Sequence, residues 1–222
     1  SEMCIRDRKD SFSCSGKLEI SDRFFHCWKN SGHGTMDLTK SLSESCDVYF
    51  YELALKIGIE RINKMATKLG LGIKHDVPMS AITKGLMPSR EWKLNNREQE
   101  WLVGDTVNAS IGQGYVLSSP LQLAVMAARL ASGKKVNPIL TKSINGRNIH
   151  NLKNIEDLDI DKSYLKIIRK ALFQASNDRR GTAYGSRVID DAYRMAGKTG
   201  TSQVRNITDA CLLYTSDAAD EV

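Results

Sequence analysis

Leu38, Leu42, Ser45, Tyr49 and Leu53 recur at three- and four-residue intervals, so a helix through them carries all five on one face. A chain with that stripe must bury it against other elements, and Ser45 is carried inward with its apolar neighbours. Asp37 or Thr35 can cap the helix, and Gly58 interrupts the pattern. A second helix is expected over about 60–69, closed by Gly70 and Gly72. A third starts from Ser118 or Ser119 with Pro120 in its first turn, continues through Leu121, Ala124, Val125, Ala128 and Leu130, and stops at Gly133. A fourth covers about 163–176, with Leu165, Ile168, Leu172 and Ala175 on one face. Leu18, Ile20, Phe24 and Trp28 are evenly spaced, so 16–34 reads as short extended pieces, with Gly32 and Gly34 framing His33 in a turn. Residues 72–105, with Pro78 and Pro88, read as an extended loop region, and 193–204 as a strand entering the core. Helices with short strands predict an α+β (mixed α/β) fold.

Residues 121–131 form the longest apolar run, but Gln122 and Arg129 interrupt it. It reads as a buried helix, well short of the roughly 18 apolar residues of a membrane span. No signal peptide is visible at the start. Residues 1–8 and 210–222 resemble translated sequencing-adaptor read-through and are read as non-native, leaving 9–209 as a partial domain. The net charge is +6; residues 210–222 hold three carboxylates and no base, and 1–8 are neutral, so the remainder carries +9. Its Lys and Arg are dispersed rather than clustered, and no nucleic-acid partner is expected.

Two short motifs carry chemistry. Lys198-Thr199-Gly200-Thr201 combines an ammonium, two hydroxyls and a glycine that permits close approach, which suits an anion site. In Ser45-Cys46-Asp47 the serine hydroxyl can relay a proton to a lysine, and the carboxylate can bond a substrate amide or a partner lysine. Excluding Cys4 and Cys211 in the terminal stretches leaves Cys14, Cys27 and Cys46, which with His33 are spaced C-x12-C-x5-H-x12-C. Three thiols and an imidazole make a structural zinc set of the Cys3His kind, with His26 as a substitute ligand. The same residues also allow a Cys14–Cys27 disulfide with Cys46 as a small core residue, or three unconnected thiols. Ser132-Gly133-Lys134-Lys135 and Ser163-Tyr164-Leu165-Lys166 match S-x-x-K literally. They lie after Ser45, at a helix end and a helix start, and are rejected as a nucleophile.

The serine triplet and the lysine motif resemble the second and third motifs of the penicillin-binding and serine β-lactamase superfamily, whose order is S-x-x-K, S-x-[ND], K-[ST]-G. Phe25-His26-Cys27-Trp28-Lys29, Gly32-His33-Gly34, Ser45 to Glu52, Arg90-Glu91-Trp92-Lys93, Gly112-Gln113-Gly114-Tyr115 with Pro120-Leu121-Gln122, Gly181-Thr182-Ala183 and Ala196 to Val204 strengthen the likeness. Together they resemble the monofunctional (class B) D,D-transpeptidases of rod elongation over about 12–205. The resemblance implies an incomplete transpeptidase fold, with the S-x-x-K nucleophile expected ahead of residue 1 and the fragment alone inactive. It implies an enzyme on the periplasmic face of the bacterial inner membrane that cross-links peptidoglycan stem peptides through a serine acyl-enzyme. β-Lactams would act as substrate mimics, and elongation-machinery membrane proteins would be partners of the full-length parent. By the same resemblance Ser45 shuttles protons, and Asp47, where Asn is commoner, holds the substrate amide or the catalytic lysine. Lys198, Thr199, Gly200 and Thr201 bind the terminal carboxylate, with the Thr201 N–H as half of an oxyanion hole. Asp can stand in the family at the positions of Cys14 and Cys27. That exchange suits metal ligands, so zinc at Cys14, Cys27, His33 and Cys46 is expected, with no organic cofactor. The alternatives are a carboxypeptidase or serine β-lactamase-like hydrolase, and a non-catalytic, zinc-stapled scaffold.

Overall fold

The computed structural model describes residues 10–80, 82–148 and 154–201. The expected non-native stretches 1–8 and 210–222 and the end of the expected 193–204 strand lie outside these residues. The fold is α+β: seven α-helices with three small antiparallel sheets among the described residues. Strand β1 (Phe12–Cys14) pairs with β4 (Gly34–Met36), with Cys14 opposite Gly34. Between them β2 (Lys17–Ile20) and β3 (Arg23–His26) close a hairpin. Gly32 is required where this segment folds back, because a Cβ there would lie 2.3 Å from the Cys14 carbonyl oxygen. That close approach places His33 beside Cys14. A third pair, β5 (Ser143–Ile144) and β6 (Arg147–Asn148), is joined through Asn145 and Gly146, both with positive φ.

The expected helix along 38–53 is two helices: α1 (Leu38–Ser43), capped by Asp37, and α2 (Asp47–Ile57). Gly58 turns the chain into α3 (Ile59–Leu69), which ends at left-handed Gly70. The stretch 72–105 is not only loop. It contains α4 (Arg90–Arg97), capped by Ser89, and the start of α5 (Val103–Ser110). Neither has a strong apolar stripe, and both are held by a tertiary ion pair. Lys93 of α4, 2% exposed, donates to Asp105 of α5 at 2.6 Å, and Asp105 also accepts the Leu102 N–H. Helix α6 (Pro120–Ser132) has the expected Ser119 cap, with Gln122 returning a bond to the Ser119 N–H, and ends at Gly133. Helix α7 (Lys162–Asn177) is capped by Asp161.

The two polar interruptions of α6 prove to be staples. Gln122 donates to the carbonyls of Ile73 and Lys84, and Arg129 to those of Lys68 and Val136 and to Asn137 Oδ1. Burying these groups is tolerated because their donors are matched. One core cluster gathers Cys14, Cys27, Met36, Cys46, Val48, Tyr49, Tyr51 and Val107; a second gathers Ile59, Ala66, Met87 and Ala109. No helix among the described residues is long and apolar enough to cross a membrane.

The Lys93–Asp105 pair sets a testable cost. Truncating Lys93 to Ala strands a largely buried carboxylate and is expected to lower unfolding free energy by about 3 kcal/mol. Denaturant titration of K93A beside K93M checks this, the methionine variant losing less because it still fills the volume; a K93A loss below about 1 kcal/mol would contradict it.

Candidate active site and metal centre

Helix α1 stops because Ser45 enters the left-handed region at φ +53°. The Cys46 N–H reaches back to the Ser41 carbonyl at 3.0 Å, the long-range bond of a glycine-type helix ending. A serine therefore occupies a position where glycine is usual, and an L-residue there is strained. This corrects the expectation of one continuous helix with Ser45 facing inward; no glycine marks the break, so periodicity ran through it. The break separates three neighbours. Ser45 points toward the chain's late segment, Cys46 is fully buried, and Asp47 opens α2.

Trp28 ties this turn together. Its backbone N–H donates to Asp47 Oδ2 at 2.9 Å, and its indole N–H donates to the carbonyls of Ser45 at 2.9 Å and Glu44 at 3.2 Å. Burial pushes the Asp47 carboxyl up to about 6 although the Trp28 N–H pulls it down; Cys27 adds to the rise, and Lys198 opposes it. Among the described residues Asp47 shows no direct bond to Lys198; its influence there is through charge.

Helix α7 brings the second half of the site. It packs along α1, and the turn after it bonds back through Thr182 N–H to the Ser43 carbonyl and Ala183 N–H to Ala175. Gly181 fits only without a side chain, since a Cβ would lie 2.3 Å from the Ala175 carbonyl oxygen. Further along, Gly197 N–H bonds the Leu172 carbonyl, and Asn177 bonds the Met195 carbonyl. These anchors deliver Lys198, whose ammonium donates to Ser45 Oγ at 2.7 Å. Ser45 Oγ lies 3.0 Å from Thr182 Oγ1 and 3.3 Å from Thr199 Oγ1, and the two threonine hydroxyls are 3.0 Å apart. Desolvation lowers the Lys198 pKa, with Asp47 countering it. A lysine eased toward losing its proton, bonded to a hydroxyl within a hydroxyl triangle, can pass protons through Ser45.

The segment carrying Lys198, Thr199, Gly200 and Thr201 is exposed and irregular through Thr201, not the expected strand, because no described strand lies beside it to pair. No side-chain bond of Thr201 occurs among the described residues. The rejected serines stay apart from this centre: Ser132 Oγ bonds the Ala128 carbonyl at the end of α6, and Ser163 lies in the first turn of α7 beneath its Asp161 cap. Thr182 and Trp28 are site residues that sequence reasoning noted only as landmarks; their side-chain roles come from contacts across the fold.

The Cys14, Cys27 and Cys46 thiols and a ring nitrogen of His33 lie within 4.8 Å of one another, and all three cysteines are buried and unpaired by disulfides. His33 Nδ1 is 3.6 Å from Cys14 Sγ and 3.5 Å from Cys27 Sγ. A tetrahedral zinc site with bonds of about 2.1–2.3 Å has edges of roughly 3.5–3.8 Å, so the spacing and the donor chemistry suit that ion. A hydrogen bond from Cys46 holds the Cys27 thiol well below the usual range, while the same bond and burial push Cys46 up. His26 is not in the group; its carbonyl accepts the Tyr51 hydroxyl.

Residues 5–211 match the penicillin binding protein transpeptidase domain. The peptidoglycan D,D-transpeptidase MrdA of Acinetobacter baumannii is 36% identical over 189 residues, covering 82% of this chain and 27% of the relative. The MrdA protein of Haemophilus influenzae is 34% identical, covering 86% of this chain and 30% of the relative. The chain thus spans less than a third of the length of these curated relatives. Among solved structures, PBP2 of Pseudomonas aeruginosa in complex with WCK 5153 superposes with a TM-score of 0.81 at 34% identity, covering 89% of this chain and 46% of that one. The Helicobacter pylori complex of PBP2 with MreC gives 0.79 at 33% identity, covering 89% and 36%.

The positive φ of Ser45 generates a paired test. Ser45→Gly and Ser45→Ala both remove the hydroxyl, but only glycine tolerates the turn freely, so the glycine variant is expected to be the more stable by about 1 kcal/mol. Equal denaturation midpoints would show that the turn holds no strain.

Proposed function

This chain belongs to the penicillin-binding protein transpeptidase domain family, and we propose that it carries the proton-relay and carboxylate-binding half of a peptidoglycan D,D-transpeptidase site of the elongation type. The single observation behind this reading is the 2.7 Å bond from Lys198 to Ser45, which joins two motifs more than 150 residues apart in the chain. In the proposed reaction an activated serine attacks the penultimate D-Ala carbonyl of a stem peptide. D-Ala leaves with a proton, and the amine of a neighbouring stem resolves the ester. Ser45 accepts a hydrogen bond from Lys198, which leaves its own hydrogen free for the departing amine, and Lys198 can then replace that proton. Thr182 and Thr199 hold the Ser45 hydroxyl in line. Lys198, Thr199 and Thr201 supply the charge and donors for the terminal carboxylate, and Thr201 N–H serves the oxyanion.

The same reading places the parent protein at the periplasmic face of the inner membrane, acting on peptidoglycan stem peptides and acylated by β-lactams. The solved complex of a related PBP2 with MreC supports a partner of that kind for the full-length protein. Acylation by a labelled penicillin tests the activity in the full-length protein that contains this chain. Lys198→Ala is expected to slow acylation by about a hundredfold with little change in melting. Acylation at the unaltered rate would overturn the role given to Lys198.

We also propose that Cys14, Cys27, His33 and Cys46 hold a structural zinc ion, supported by the clustering of their ligand atoms and by the lack of any disulfide among them. When bound, zinc would supply a cross-link and no reaction step. Those residues would fix the β1–β4 segment to the start of α2, beside Ser45. Metal analysis is expected to find about one zinc per chain, and chelation to lower the melting temperature; a metal-free protein whose melting is indifferent to chelators would exclude the site.

A further inference from the structure

We propose that Trp28 is a positioning residue of the acyl-transfer site, its indole N–H holding Ser45 in the left-handed conformation that aims the hydroxyl at Lys198. The inference rests on the proton-relay role given to Ser45 above. Trp28 is 59% exposed, so burial of its ring is not what holds it in place. Its polar contacts are concentrated instead on one short segment. The indole N–H is shared between the carbonyls of Ser45 and Glu44, and the backbone N–H goes to Asp47. Two of the three residues that break α1 from α2, Glu44 and Ser45, and the first residue of α2, Asp47, are thus tied to one tryptophan.

An L-residue at φ +53° relaxes toward the right-handed region unless its surroundings prevent it. The Cys46 N–H bond to Ser41 restrains the residue after Ser45, but the Ser45 carbonyl itself receives its side-chain donor only from Trp28 among the described residues. Rotation of Ser45 out of this conformation would swing both its carbonyl and its hydroxyl, breaking the indole bond and the Lys198 bond together. The tryptophan is in turn held from behind. It follows buried Cys27 directly, and its ring packs edge-to-face with His33, the centroids 5.4 Å apart. The cysteine–histidine cluster therefore sets where the indole stands, and the indole sets where Ser45 points.

The test uses the full-length protein containing this chain, with Trp28→Phe and with benzothienyl-alanine at 28, an isostere that keeps the ring system and loses only the N–H. Amide hydrogen exchange over 44–47, penicillin acylation rate, zinc content and melting temperature are measured together. Exchange is expected to quicken by about tenfold and acylation to slow by about tenfold, with zinc content and melting unchanged. Unchanged exchange, or faster exchange with unaltered acylation, in the isostere overturns the proposal. So does a loss of zinc or of folding in the isostere, which would make Trp28 merely structural. If the unsubstituted protein is not acylated at all, the transpeptidase reading fails, while the exchange measurement still decides whether Trp28 restrains the turn.

Discussion

The packing of α7 along α1 is the contact on which the site depends. Helix α1 is only six residues long and is followed, two residues past its end, by the strained Ser45, and alone it would not persist in water. Helix α7, with sixteen residues, supplies the rigid rail, and the turn beyond it hydrogen-bonds to the last turn of α1 through Thr182 and Ser43. The same helix holds Gly197 through the Leu172 carbonyl, one residue before Lys198. This helix–helix contact thus brings the Ser45 segment and the Lys198 segment within reach of the 2.7 Å bond between them.

Much of the remaining structure is held by polar groups that would be liabilities if unmatched. Arg129 and Gln122 lie in an otherwise apolar helix, yet Gln122 reaches the loop carbonyls of Ile73 and Lys84, and Arg129 the last-turn carbonyl of Lys68 in α3 and the loop carbonyl of Val136. Lys93 and Asp105 match each other across α4 and α5. Loops that look unstructured by composition are consequently fixed against the helices, and the exposed surface needs little regular structure.

Ser45-Cys46-Asp47 shows how one tripeptide serves three ends. The left-handed turn sends Ser45 to the lysine, drops Cys46 into the core among thiols, and leaves Asp47 at the first turn of α2, where a carboxylate meets the helix dipole favourably. In a continuous helix these side chains would be about 100° apart around the axis, unable to meet such separate partners. The strain at Ser45 is the cost of that divergence, and Trp28 and the cluster around Cys27 are placed to bear it.

The residues of the proposed site were legible in the chain, because an ammonium, hydroxyls and thiols declare themselves by type and spacing. Ser45, Asp47, Lys198 and the Cys14, Cys27, His33, Cys46 set were all visible, as were α3, α6 and α7 through their caps, glycine stops and apolar faces. The break at Ser45 was not, since a serine at a glycine position leaves no mark in hydrophobic periodicity. Helices α4 and α5 were hidden for a related reason: both are short, and a tertiary ion pair between them, with the burial of Val107 and Ala109, supplies what no long apolar stripe announces. Local sequence determined which groups were available and where most helices start and stop, because caps and periodicity act within a few residues. Only the tertiary structure decided that Thr182 and Trp28 belong to the site and that Ser45 faces Lys198, because those contacts close across distances in the chain that no local pattern spans.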